Sequence, residues 1–400
     1  MTTPLLTRRD AFVWALAFLL VSALMVALQF TSADPDSALY ADLSARLAAG
    51  TPARWIAPEW WGNWEHEGLF REHPAGVFLV PALLGWLGVP GVQAAYIVGI
   101  GAGVLSVVLI SVGIARVSSV ADGRAALVLL QLMPLAFIFR IRANHEYPML
   151  VCLLLAVIGI EGARRSWRWI WVTPLALCAA VLVKAAFVAV PLLAVGWWMV
   201  ANPLRTPASL ARPVVALVLS GLAVLGMAVA YDTAYAALTG ESFWAGYYAR
   251  QMAPLSVGVQ PDGQPGLIHH AGFYSLRLLW HPAPWSLALL IGAWSTRRRG
   301  LAAWRSLAPS HQRALVFALG FTFTTVAMLT PASRFAERYI FSANYALASI
   351  GIVVALRLWP ALRTTLTSWD QRLPALPALC WTLLMVLRLL IGPLLPRISS

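Results

Sequence analysis

The sequence has one lysine, Lys184; its other twenty-eight basic residues are arginine. Charge of either sign is scarce, at 11% of 400 residues, with 16 acids against 29 bases. The bases form no continuous patch but fall in short runs between apolar segments, which excludes a nucleic-acid surface and leaves the pattern of membrane topology. Cysteine is nearly absent. Cys152, Cys178 and Cys380 lie inside apolar runs without metal-like spacing, so they read as core residues and say nothing of redox compartment. There is no internal repeat, no low-complexity tract and no separate soluble domain, and residues 1–400 read as one unit.

What fills the chain is hydrocarbon: 60% of residues are apolar, more than a soluble domain carries. The expected class is all-α, a polytopic transmembrane bundle. Apolar runs of spanning length predict about eleven spans, near 11–30, 92–115, 125–140, 147–161, 169–183, 185–200, 213–231, 284–296, 314–331, 339–358 and 374–396. The first follows Arg8 and Arg9 and lacks a good cleavage site, so it reads as an uncleaved helix starting in the cytoplasm. The stretch 76–90 is short and marked by Pro and Gly; it is expected to lie in the outer interface with the amphipathic segment 37–49. On this map the inner loops hold seventeen bases and four acids (Asp10, Asp122, Glu161, Asp370), and the remainder holds twelve of each. The charge excess falls inside, as the positive-inside rule requires.

Twelve of sixteen acids and six of seven histidines then face outward, which places the active face outside the cytoplasmic membrane, in the periplasm of a bacterial inner-membrane protein. Two outer loops stand out, 31–91 and 232–283. The first carries seven acids between Asp34 and Pro74, among them Glu65 and Glu67, together with His66 and His73. Asp34 and Asp36 flank Pro35 where the first span ends. They suit a helix stop and N-cap, or a general base for a hydroxyl or amine; a cap needs only one of them. Tyr40 follows one turn later. Glu72 beside His73 can position a sugar phosphate or ligate a divalent cation; a metal would need further ligands, for which His269 and His270 are the candidates, with Glu146 as another.

Glu146 opens the fourth span beside Arg140 and Arg142, which either pair with it or face an anionic ligand. Lys184 lies in the apolar string ALCAAVLVKAAFVAVPLL at an outer turn, where an ammonium costs roughly 2.5–3.5 kcal/mol unless it snorkels or is paired; a lipid phosphate is the partner it suits. The second outer loop supplies Trp244, Tyr247, Tyr248, Arg250, Tyr274 and the run HPAPW at 281–285, aromatics that form an interfacial belt or stack on sugar rings. Arg334, Glu337, Arg338 and Tyr339 mark a late helix entrance, where a guanidinium offers a bidentate phosphate contact.

In this order these residues resemble the GT-C glycosyltransferases that use a polyprenyl-phosphate sugar, in particular aminoarabinose-to-lipid A transferases and protein O-mannosyltransferases. Pro35, Asp36, Ser37, Tyr40 and Ala41 match a first-loop PDE-x-x-Y-A-like motif. Phe70, Glu72, His73, Pro74 and Ala75 match a later F-x-K/H-P-x-x-G-like motif. Glu146 matches an acid opening the fourth span, and Val183-Lys184-Ala185 the family's TKG turn. His269, His270, Tyr274, Pro284 and Trp285 match the histidine and aromatic loop. Arg338, Tyr339 and Tyr345 match the late R-Y segment. Ser37 stands where the family has a second acid, Ala185 where it has glycine, and Ala343 near a usual proline; no C-terminal soluble domain is expected.

The resemblance implies inverting transfer from a polyprenyl-phosphate sugar to a lipid, glycan or protein acceptor. Asp36, with Asp34 and Glu72, would be catalytic. Lys184, Arg338, Glu146, Tyr40, His73, Tyr274 and Tyr345 would bind substrate. A divalent cation held by Glu72, His269 and His270 is an optional cofactor. The rival reading is a lipid-linked-sugar flippase, but such folds usually show repeated halves and ionisable residues at the midplane.

Overall fold

The computed structural model describes residues 5–60, 68–203, 207–253, 266–332 and 336–391. Glu65, His66, Glu67 and Arg334 lie outside them. The described chain is helical apart from a two-residue antiparallel ladder, β1 (Glu59–Trp60) with β2 (Gly68–Leu69). Helix α1 (Arg8–Ala27) begins in a capping box: the Thr7 hydroxyl accepts from the Asp10 amide at 3.2 Å, and the Asp10 carboxylate accepts from the Thr7 amide at 2.8 Å. This arrangement satisfies amides that a helix start leaves unpaired.

Two short helices follow, α2 (Pro35–Ala49) and α3 (Gly76–Trp86), before the long α4 (Gly91–Val117). At 11 residues α3 is about 16 Å long by its rise and too short to cross a bilayer. It turns Val80, Leu83 and Trp86 outward and packs its other face on α2 and α4. Small residues set that spacing: a Cβ on Gly91 would lie 2.8 Å from Ala45 of α2. The buried face of α2 carries Tyr40, Leu43 and Leu47.

The bundle continues through α5 (Val120–Leu129), α6 (Pro134–Phe139), α7 (Glu146–Ala163), α8 (Val172–Lys184), α9 (Ala189–Ala201) and α10 (Pro207–Thr239). After the short α11 (Phe243–Tyr247) come α12 (Leu267–Trp280), α13 (Trp285–Thr296), α14 (Leu301–Ser306), α15 (Pro309–Leu329), α16 (Phe341–Leu358), α17 (Pro360–Arg372) and α18 (Leu376–Ile391). The largest core cluster joins α4, α5, α6, α7, α13, α15 and α16 around Phe139, Tyr147, Trp285 and Tyr345.

Among the described residues seven helical stretches are long and apolar enough to cross a membrane, or eight if α17 and α18, bent by 95°, count as one. The expected eleven are not all present at that length. The run 125–140 is broken at Pro134 into α5, a 3-10 turn and α6, and 284–296 is a 12-residue helix. The stretch Trp167–Ala201 is helical over 35 residues, yet both its ends return to the C-terminus of α7. Ile170 packs beside Ile160 and Ala163, while Arg164 donates to the Asn202 carbonyl at 2.8 Å and the Trp198 indole to Glu161 at 3.3 Å. The stretch is therefore a hairpin with Lys184 and Ala185 at its tip.

Every ion pair among the described residues joins two residues of the same predicted side. At one end Arg124 ties Asp10 of α1 to Asp370 of α17, and Arg363 binds Asp122 at 2.8 Å. The other end holds Asp34, Asp36, His145, Lys184 and Arg338.

Candidate functional site

The site is built where the chain leaves α1 and starts α2. Asp34 is the N-cap of α2: its Oδ2 accepts from the Ser37 amide at 3.0 Å and from the Ser37 hydroxyl at 2.6 Å. Pro35 occupies the first turn, where a missing amide hydrogen costs nothing. The Ser37 hydroxyl in turn accepts from the Ala143 amide at 3.2 Å, fixing α2 to the segment before α7. With the cap supplied by Asp34, Asp36 is left to pair with the Arg338 guanidinium. That pair is partly open, with side chains 31% and 28% exposed.

One turn along α2, the Tyr40 hydroxyl meets His145 Nδ1 at 3.1 Å. His145 is the hub of the cluster and 3% exposed. Its Nε2 lies 3.1 Å from Glu146 Oε1 and also contacts the Lys184 ammonium. The two contacts place opposite demands on that nitrogen, since an ammonium donates to it and a carboxylate accepts from it. The Lys184 ammonium also stands over the rings of Phe187, at 4.2 Å, and Tyr339, at 5.3 Å. Tyr339 follows Arg338, so Asp36 and Lys184 are joined by two short routes, through Arg338–Tyr339 and through Tyr40–His145.

Burial holds the His145 imidazole below its ordinary pKa of 6.5, against the attraction of Glu146, and Lys184 adds to the lowering. The same burial, reinforced by His145 and Lys184, holds His73 well below that value. The His73 ring lies 5.4 Å from that of His145, and its Nδ1 is sealed without a hydrogen-bond partner. Both carboxylate oxygens of Glu146 are likewise buried with no conventional hydrogen bond, the His145 contact aside, and Arg338 Nε is also without one. Orphan donors and acceptors at one place are unusual in a folded interior and call for a ligand or ordered water.

Lys184 closes α8, and the next residue, Ala185, has φ 41° and ψ −112°. This is the first central position of a type II′ turn, where glycine carries no steric penalty and a Cβ does. An alanine at this position is therefore strained.

Several sequence-based expectations are corrected. Arg140 and Arg142 do not pair with Glu146. Arg140 donates to the Gln131 carbonyl at 2.6 Å, while Arg142 lies 3.8 Å from Asp34 and over the Phe139 ring. Tyr345 is 1% exposed and shares a 2.9 Å hydrogen bond with Tyr147 inside the core. Tyr274 is fully buried against Leu329, Ile340 and Ala343, one layer behind Tyr339. Glu72, His269 and His270 are not gathered as a ligand set: among the described residues no group of three His, Cys, Asp or Glu side chains could hold a metal. His270 instead directs Nδ1 at the Thr330 carbonyl, 3.1 Å away. Sequence reasoning passed over His145, although its place beside Glu146 repeats the acid–imidazole adjacency that singled out Glu72 and His73.

No protein-family model matches the chain, and no curated protein does. Solved structures do. The chain superposes on ArnT from Cupriavidus metallidurans in the apo state with TM-score 0.63 and 16% identity, covering 98% of this chain and 66% of that one. On ArnT bound to undecaprenyl phosphate the TM-score is 0.65 at 13% identity, covering 96% and 78%. The fold is the GT-C fold. An Archaeoglobus fulgidus oligosaccharyltransferase, in complex with Zn and sulfate, superposes with TM-score 0.51 and 14% identity over 93% of this chain and 53% of its own. The chain thus spans about two thirds of the apo ArnT chain and about half of the oligosaccharyltransferase.

Proposed function

We propose that this protein is a membrane glycosyltransferase of GT-C type that moves a sugar from a polyprenyl phosphate to an acceptor hydroxyl or amine with inversion. The observation that carries the reading is the convergence of Asp36, Arg338, His145, Glu146 and Lys184 at one end of the bundle. ArnT, whose fold the chain shares, is known bound to undecaprenyl phosphate, which supports a lipid of that class as donor.

The reaction needs a base for the attacking group and cations for the leaving phosphate. Asp36 takes the proton as the acceptor attacks the anomeric carbon. The bond from that carbon to the phosphate oxygen breaks, and Lys184 and Arg338 take up the charge developing on the polyprenyl phosphate. In the resting site Arg338 holds Asp36; the incoming phosphate competes for the guanidinium and releases the carboxylate. Glu146 supplies a buried acceptor for sugar hydroxyls, and Tyr40 and His145 fix Lys184 in place. Asp34 sets the start of α2 and thereby the position of Asp36. His73 lies beside His145, with 5.4 Å between the ring centroids, and Glu72 precedes it in the chain. The described residues do not fit a protein-held metal, and no step is routed through one. The active face would be periplasmic.

The test is a panel of radiolabelled polyprenyl-phosphate sugars given to the purified protein in nanodiscs with envelope lipids and glycans as acceptors. Loss of label from at least one donor, with stoichiometric polyprenyl phosphate, is expected. An intact donor pool throughout the panel, with sugar-lipid crossing the bilayer unchanged in liposomes, would replace the transferase with a flippase.

A further inference from the structure

The bundle holds a cavity of about 300 Å3 between α4, α7, α9, α15 and α16. That volume is at the lower end of small-molecule sites, about 300–1,000 Å3. Its lumen is apolar, with Ile110, Leu154, Phe317, Phe321 and Val353 among the lining side chains. Gly113 of α4 faces open space there, since a Cβ added to it meets nothing within 4 Å. The charged lining is confined to the end remote from Asp36, while Ser342 and Tyr345 are the polar side chains toward the other end. Arg116 is in the last turn of α4, Arg165 lies just past α7, and Arg313 is near the start of α15. Glu161 answers only part of this charge, through Arg164 and Arg165. Arg116 and Arg313 are exposed and, among the described residues, make no hydrogen bond or ion pair.

An apolar lumen capped by unpartnered guanidinium groups fits a molecule with a hydrocarbon chain and an anionic head. A free aqueous anion has no use for the lumen, and a neutral lipid has none for the rim. We propose that this cavity binds one acyl chain of an anionic glycerophospholipid from the leaflet opposite the Asp36–Lys184 site, with its phosphate on Arg116 and Arg313. The position of the head separates this site from the donor's, because a donor phosphate must reach Lys184 at the other end. The inference does not depend on the proposed reaction.

The experiment uses the full-length protein in nanodiscs of equal phosphatidylglycerol and phosphatidylcholine, transferred to detergent and read by native mass spectrometry. The wild type is expected to retain one phosphatidylglycerol, enriched about tenfold over phosphatidylcholine. Arg116→Gln/Arg313→Gln removes the head contacts and Gly113→Trp fills the lumen; each is expected to abolish the enrichment. Both variants alter open positions, and a thermal melt matching wild type confirms that they fold. Equal retention of the two lipids, or unchanged phosphatidylglycerol on both variants, overturns the proposal. So does one-for-one displacement of phosphatidylglycerol by undecaprenyl phosphate, which would assign the cavity to the donor's tail.

Discussion

Asp36→Asn and Asp34→Ala separate chemistry from scaffolding two residues apart. The Asp36–Arg338 pair is about 30% exposed on both sides, and exposed ion pairs are worth about 0–1 kcal/mol. Asparagine keeps the shape and loses the proton acceptor, so the melt should barely move. Catalysis should fall by about 10²–10⁴-fold, the contribution of a positioned base. Asp34 is different: its Oδ2 takes two hydrogen bonds from Ser37 and its Oδ1 faces Arg142. Losing a cap costs about 0.5–2 kcal/mol, so Asp34→Ala should lower the melt and loosen α2. The assay pairs single-turnover transfer with denaturation of the same nanodisc preparation. An Asp36→Asn protein that transfers sugar at more than half the wild-type rate removes Asp36 as the base. Equal destabilisation by both changes refutes the division of labour.

Further expectations concern the hairpin tip and the histidines. Lys184→Met should cut transfer about 10²–10³-fold, the usual loss for one preplaced donor at a developing oxyanion, with Lys184→Arg recovering part of it in the same assay. Ala185→Gly relieves the positive φ and should raise stability by about 1–2 kcal/mol in a denaturant melt, with donor binding kept; a less stable protein would contradict the turn assignment. The buried His145 and His73 are held below the imidazole's ordinary 6.5, so the unfolded chain binds more protons once pH drops beneath that value. Stability should be full above about pH 6.5 and fall below it, by up to about 1.4 kcal/mol per pH unit for each histidine. A melt independent of pH between 5 and 7 would show that the two rings are not enclosed together.

Which parts were legible in the sequence follows from how each signal is written. Lys184 stood out because an ammonium in an apolar string has few explanations, and Asp36 because a helix start needs one cap and two acids were present. The two-ended charge segregation was readable from arginine placement alone. Span counting was weaker: hydropathy cannot see that Pro134 breaks 125–140, and 284–296 makes only a 12-residue helix. Partner choice was weaker still. Glu146 stands between Arg142 and the more distant Lys184 in sequence, yet its contact is with His145, which also meets Lys184, because the hairpin tip returns to the start of α7. That closure is tertiary, and no local pattern encodes it. Tyr274 illustrates the same limit, since a tyrosine on an apolar helix packs inward unless a ligand cavity claims it.

In the proposed reaction the anomeric bond of a polyprenyl-phosphate sugar is broken at the cluster of Asp36, Lys184 and Arg338. Phosphorus NMR of donor-loaded nanodiscs measures it most directly, because cleavage turns a phosphodiester into a monoester. The wild type is expected to give the monoester in the presence of acceptor, while Asp36→Asn and Lys184→Met leave the diester unchanged. A wild-type spectrum that keeps the diester with every donor and acceptor offered, or variants that cleave as fast as wild type, would contradict it.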